Sequence, residues 1–139
     1  MRVYVAATTS QLRELVETGT ISAELVGFAA TEALAAEFKD SSTDEVEYAL
    51  SVAAAEASAA LLGAGPAAPS GRRVVVVADL PESAVRPDPS TPGGVQVAEG
   101  LELRHVDAVL ADPVDISSPA DLTNDLAWYA TQEISDLLA

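Results

Sequence analysis

The sequence predicts an α/β or α+β fold in which a single small sheet of about four strands is covered by helices. Three observations favour this class. Short runs of β-branched residues alternate along the chain with helix-capping signals. The longest helical pattern is rich in alanine, and one apolar run is too continuous for a strand with a solvated face. The predicted order of elements is β-α-β-α-α-β-(β)-β-α.

The first strand and helix follow from the opening residues. Val3 and Val5 alternate with polar neighbours, so residues 2–6 are predicted to form a strand. Thr8 and Gln11 have the spacing of a capping box, which predicts a helix start directly after that strand. Gly19 is predicted to end this helix.

A second strand and two helices are predicted in the next forty residues. Residues 24–29 form the strand, and Thr31 caps a short helix that runs to residue 38. Ser42 and Glu45 make another capping box before a long helix over residues 44–62. Residues 63–66, Gly-Ala-Gly-Pro, end that helix.

The second half supplies the remaining strands and a final helix. The run VVVVA at residues 74–78 predicts a central strand covered on both faces. A loop rich in proline and glycine covers about residues 86–94, a brief edge strand follows at 95–97, and residues 106–111 form another strand. Ser118, Pro119 and Asp121 have the spacing of N-cap, N1 and N3 residues, which predicts a closing helix. Its buried face would carry Leu122, Leu126, Tyr129, Ile134 and Leu137.

Composition restricts the class of protein. The 139 residues fit one domain, 1–139, without an internal repeat. The chain has 22 acidic and 7 basic residues, a formal net charge of −15, and no cysteine. Nucleic acid is therefore an unfavourable partner, and thiolate sites are excluded. No secretory or membrane segment is recognisable, so a cytoplasmic protein is expected.

Carboxylates at two strand ends are the first candidate site. Asp79 and Asp112 each follow a predicted strand, and in a parallel sheet both would lie at the same carboxyl edge. Such oxygens could hold Mg²⁺ or Ca²⁺, although an aspartate beside a proline is also ordinary turn chemistry. Thr8 could add a hydroxyl for an anion at the first helix, where capping is the simpler interpretation. The single histidine, His105, could act in acid–base chemistry or be a boundary imidazole.

Trp128 is the candidate contact residue for a partner. On a helix, Trp128 and Tyr129 would point about 100° apart, so only one of them can be fully buried. Tyr129 fits the buried stripe of the predicted closing helix. Trp128 then either closes an edge of the core or is exposed as a contact hot spot.

Several segments together resemble a known family. The opening MRVYVAATTSQLREL, the strand VVVVADLP and the closing WYATQEISDLL are similar to a family of short, acidic actinobacterial proteins of unknown function. That family typically opens with MRVYVPAT, and this chain has Ala6 in place of the proline. The resemblance covers nearly the whole chain and implies no activity, cofactor or site.

Three functional hypotheses follow from these observations. The preferred one is a non-enzymatic domain that binds a protein partner or associates with itself, because no catalytic or cofactor motif is recognisable. The second is a small enzyme or ligand-binding protein with its site near Thr8, Asp79, Asp112 and His105. The third is an acidic inhibitor or mimic that acts on a basic partner.

Overall fold

A seven-stranded antiparallel sheet forms the centre of the molecule in a computed structural model that describes residues 1–62, 71–116 and 119–138. The strands are β1 (Arg2–Ala7), β2 (Thr20–Ile21), β3 (Leu25–Phe28), β4 (Val74–Asp79), β5 (Arg86–Pro87), β6 (Gly94–Val97), β7 (Leu101–Glu102), β8 (Val106–Ala111) and β9 (Ala127–Ala130). The helices are α1 (Thr9–Thr18), α2 (Glu32–Glu37), α3 (Thr43–Leu61) and α4 (Ile134–Leu138). The order across the main sheet is β5-β6-β3-β1-β4-β8-β9, and β2 pairs separately with β7.

The predicted sheet of about four strands under a cover of helices is therefore wrong. The extra strands are short pieces of two to four residues, whose local pattern is too brief to signal a strand. The strands of the main sheet pair antiparallel, including β4 with its neighbours β1 and β8. The run at residues 74–78 is buried on both faces as predicted, but burial of both faces does not require parallel neighbours when helices lie on each side.

Local signals correctly predicted the first helix. Thr8 Oγ1 accepts a hydrogen bond from the Gln11 backbone N–H at 3.1 Å, and Gln11 Oε1 accepts one from the Thr8 N–H at 3.1 Å. Gly19 follows the helix with φ of +83°, a conformation that favours glycine. Thr31 and Ser42 likewise cap α2 and α3 through their side-chain oxygens. The predicted stop at residues 63–66 lies outside the described residues.

The predicted closing helix is wrong over most of its length. Residues Pro119–Thr123 form a 3₁₀ turn, residues Ala127–Ala130 form β9, and a helix is present only at Ile134–Leu138. Ser118, the proposed N-cap, lies outside the described residues. Arg73 donates hydrogen bonds to the backbone carbonyls of Leu122 and Asn124, so tertiary contacts hold this segment in a non-helical form.

Two apolar layers lie on opposite faces of the sheet. On one face, Val3 and Val5 pack in a cluster with Leu12 of α1 and Ile134 of α4. On the other face, Tyr4, Val75 and Val77 belong to a cluster with side chains of α2 and α3. Helix α3 lies over β1, β3 and β4, which leaves the face of β8 and β9 less covered. The candidate site lies on this less covered part of the sheet, next to α3.

Ser58 connects α3 to the two central strands. Its fully buried hydroxyl donates to the Ala7 carbonyl and accepts from the Val74 N–H, both at 2.8 Å. Removal of this hydroxyl would leave two buried backbone groups without that partner.

We expect Ser58→Ala to lower the free energy of unfolding by about 1–3 kcal/mol, measured by urea denaturation. Ser51→Ala is the matched control, because the partly exposed Ser51 donates only to the Tyr48 carbonyl of its own helix. The control is expected to change the free energy of unfolding by no more than about 0.5 kcal/mol. Equal losses in the two variants would contradict a connecting role for Ser58.

Candidate functional site

The four residues predicted at one sheet edge lie at two opposite ends of the sheet. Arg2 pairs with Asp79, and Ala78 pairs with Val106, so Asp79 and His105 belong to one end. Thr8 and Asp112 belong to the other end, one β4 strand length away, which is about 20 Å for its six residues. Asp79 and Asp112 are separated because β4 and β8 pair antiparallel, so the carboxyl ends of these two strands lie at opposite ends of the sheet.

Each of these four residues has a local environment of its own. Thr8 caps α1, and the exposed Asp79 accepts a hydrogen bond from the amino group of Met1 at 3.1 Å. His105 is partly buried in the 3₁₀ turn before β8. Asp112 is buried against Arg73. Within the described ranges, no group of three or more histidine, aspartate or glutamate side chains is arranged to hold a metal ion.

Arg73 and Asp112 form a buried bidentate ion pair. Their side chains are 5 % and 7 % exposed, and Arg73 Nη2 and Nε donate to the two carboxylate oxygens at 2.7 and 2.9 Å. The Arg73 backbone N–H donates to the same carboxylate at 2.9 Å. Such geometry satisfies the buried carboxylate, which explains why a charged residue is found inside the protein.

The same guanidinium holds the segment that leads into β9. Arg73 Nη1 donates to the Leu122 carbonyl at 3.0 Å, and Nη2 donates to the Asn124 carbonyl at 2.8 Å. This segment forms one wall of a groove next to β9. Arg73 therefore acts as a positioning residue for that wall.

Trp128 lies on β9, not on a helix. Trp128 and Tyr129 consequently point to opposite faces of the sheet, because successive side chains of a strand alternate. Tyr129 packs at the margin of the cluster beneath α1 and α4. Trp128 is 63 % exposed on the face that carries α3, directly opposite Leu110 of β8. It is thus exposed and does not close the core.

An open groove lies between α3 and the strands β8 and β9. We call it the Trp128 groove. It has two adjoining parts of about 490 and 400 Å³, which share Tyr48, Ser51 and Leu110. Tyr48, 60 % exposed, lies between the parts, and its hydroxyl donates to Asp125 Oδ1 at 3.3 Å. The groove thus combines two exposed aromatic rings with an apolar floor.

Acidic side chains dominate the rim of the Trp128 groove. The lining includes five carboxylates, from Asp44, Glu47, Glu56, Asp107 and Asp125, against the guanidiniums of Arg2 and Arg73. Both guanidiniums already bind carboxylates, since Arg2 Nη1 lies 3.3 Å from Glu47 Oε1 and Arg73 pairs with Asp112. The groove is therefore electronegative.

Tyr4 closes the floor of the groove beside Arg2. Burial raises the pKa of the Tyr4 hydroxyl, and the Glu47 carboxylate adds to the rise. The phenol consequently stays neutral at ordinary pH, so it adds no further negative charge to the floor.

Tyr48 was missed as a site residue at the level of sequence. It lies on the predicted long helix, but two positions after Val46 and two before Leu50, outside the apolar face that these residues define. A large aromatic side chain outside the buried stripe of an alanine-rich helix was the available signal. Leu110 gave no signal, because it belongs to an ordinary apolar strand.

The comparisons with known proteins give a family and no function. None of the helices that the structure describes has the length and apolar character needed to cross a membrane. No curated protein and no solved structure matches the chain significantly. The model of a family of unknown function, DUF6912, matches residues 1–138, which confirms the predicted resemblance to an uncharacterised family. The chain belongs to this family of unknown function, DUF6912.

Proposed function

We propose that this chain is a non-enzymatic cytoplasmic domain that binds a basic protein partner through the Trp128 groove. The observation that carries the proposal is the exposure of Trp128 beside Tyr48 over the apolar Leu110. Tryptophan and tyrosine are the residues that most often dominate binding energy at interfaces. Exposed aromatic surface of this kind is unfavourable in water unless a partner covers it.

Charge favours a basic partner over a second copy of the chain. Two copies would each carry a formal charge of −15, and their electronegative grooves would repel each other. A partner with lysine or arginine side chains would instead meet the carboxylates of Asp44, Asp107 and Asp125 at the rim. Complementary charge also speeds association and limits the choice of partner.

A defined peptide tests both parts of the proposal. The probe is an acetylated peptide of about nine residues in which lysine and valine alternate. The chain contains a single tryptophan, so intrinsic tryptophan fluorescence reports only on Trp128. We expect a saturable blue shift of the emission as the indole is covered, and weaker binding as the salt concentration rises. The same peptide with glutamate for lysine is expected not to bind.

Trp128→Ala measures the contribution of the indole. We expect a loss of about 2 kcal/mol, or roughly a thirtyfold higher Kd, measured by the fluorescence anisotropy of a labelled peptide. Val26→Ala is the matched control, because Val26 is also an exposed apolar strand residue but lies on β3, on the far side of β1 from β9. Equal affinity of Trp128→Ala and wild type, or absence of saturable binding, would refute the proposal.

A further inference from the structure

The two outer strands of the main sheet differ in how their edges are protected. The strand β5 is only Arg86–Pro87, and charge, proline and short length are the usual means of preventing further strand pairing. The strand β9, at the other edge, reads Ala-Trp-Tyr-Ala and contains neither a charge nor a proline. Among the described residues, β9 pairs only with β8. Within the described residues, Glu133 covers the Ala130 end of this outer edge, and the stretch Ala127–Tyr129 beside the Trp128 groove has neither of these protections.

The register shows which backbone groups of β9 face this edge. The Ala130 N–H donates to Glu133 Oε1 at 3.0 Å, so it does not point towards β8. Backbone groups of successive strand residues point to opposite sides, so the N–H and C=O of Trp128 also point away from β8. Ala127 and Tyr129 are then the residues that exchange backbone hydrogen bonds with β8. Trp128, which carries the exposed indole, thus directs one backbone donor and one backbone acceptor away from β8, and no partner for either is seen among the described residues.

From this arrangement we infer that the partner binds by strand addition, with an extended basic segment pairing with the outer edge of β9. The inference rests on the proposed function and adds the backbone conformation of the bound segment. Main-chain hydrogen bonds to Trp128 provide the register, and every second side chain of the added strand lies on the same face as the indole. Lysine or arginine side chains on that face approach Asp125 and Asp107 at the rim of the groove.

Hydrogen exchange of the Trp128 amide tests this binding mode on the wild-type protein. The probe is the same alternating lysine–valine peptide, at saturation. Strand addition engages the Trp128 N–H, so its amide should exchange at least about tenfold more slowly in the complex. A shift of the indole N–H resonance without slower exchange at the Trp128 amide would overturn strand addition, while the proposed function would stand. Absence of both changes would refute the proposed function as well.

A pair of variants separates the backbone donor from the side chain. Trp128→Ala removes the indole and keeps the N–H, whereas Trp128→Pro removes both. Proline is tolerated where an edge N–H faces solvent, so both variants are expected to fold, which circular dichroism checks. We expect Trp128→Pro to bind the peptide about tenfold more weakly than Trp128→Ala. Equal affinities of two folded variants would contradict a hydrogen bond from this edge.

Discussion

Asp112→Ala is expected to lower the free energy of unfolding by about 3–5 kcal/mol. The reason is that Arg73 would keep its charge in a site where its side chain is only 5 % exposed, with its carboxylate partner removed. The Arg73 backbone N–H would lose an acceptor at the same time. Urea denaturation monitored by circular dichroism measures the loss, and a loss of this size is a large part of the stability of a domain.

Two further variants test whether the unpaired charge of Arg73 causes the loss of stability in Asp112→Ala. Asp79→Ala removes an exposed carboxylate that binds the Met1 amino group, and it should change stability by no more than about 1 kcal/mol. Combining Asp112→Leu with Arg73→Met replaces both charges by apolar groups and should recover part of the loss. If the double variant is no more stable than Asp112→Ala, the unpaired charge of Arg73 is not the main cause of the loss in Asp112→Ala.

The ion pair between Arg73 and Asp112 also supports the shape of the Trp128 groove, in addition to stabilising the fold. Arg73 fixes the segment before β9, and that segment carries Asp125, which in turn accepts the hydroxyl of Tyr48. Asp112→Ala should therefore weaken peptide binding even under conditions in which the variant is folded. Sequence analysis interpreted Asp112 as a ligand or turn residue instead, because its partner Arg73 lies 39 positions away along the chain.

The starts of α1, α2 and α3 were predicted correctly, because they depend on interactions between residues that are close in sequence. Thr8, Thr31 and Ser42 cap helices as predicted, because a cap depends only on residues within one turn. The sequence did not determine the direction of strand pairing, because the apolar run at residues 74–78 indicates burial and not the orientation of the neighbouring strands. The strand β9 was missed because its four residues sit inside a helix-like spacing of apolar side chains.

The candidate site could be predicted only in part. A lone tryptophan beside a tyrosine marked residue 128 as the informative position, and the sequence left open whether it was buried. Trp128 is exposed because α3 packs over β1, β3 and β4 and not over β9. The position of a helix across a sheet is a tertiary feature that no local sequence pattern predicts. The Trp128 groove itself arises from Tyr48, Leu110 and Trp128, which are brought together from three distant segments.

Gly100→Ala is expected to destabilise the protein by about 2–5 kcal/mol. Gly100 has φ of +78°, where a side chain costs roughly 1–2 kcal/mol. A Cβ at this position would also stand 1.8 Å from the Ile21 carbonyl oxygen, a backbone atom that cannot move without breaking the β2–β7 pair. Relief of such overlap typically adds about 1–3 kcal/mol.

Gly19→Ala isolates the contribution of the overlap. Gly19 has a similar φ of +83°, but a Cβ there would meet nothing within 4 Å. Its alanine variant should therefore lose only the conformational part, about 1–2 kcal/mol, in the same urea denaturation assay. The difference between the two variants measures how tightly Gly100 packs against Ile21. Equal losses would mean that the β2–β7 pair shifts freely and that this second, two-stranded sheet contributes little to stability.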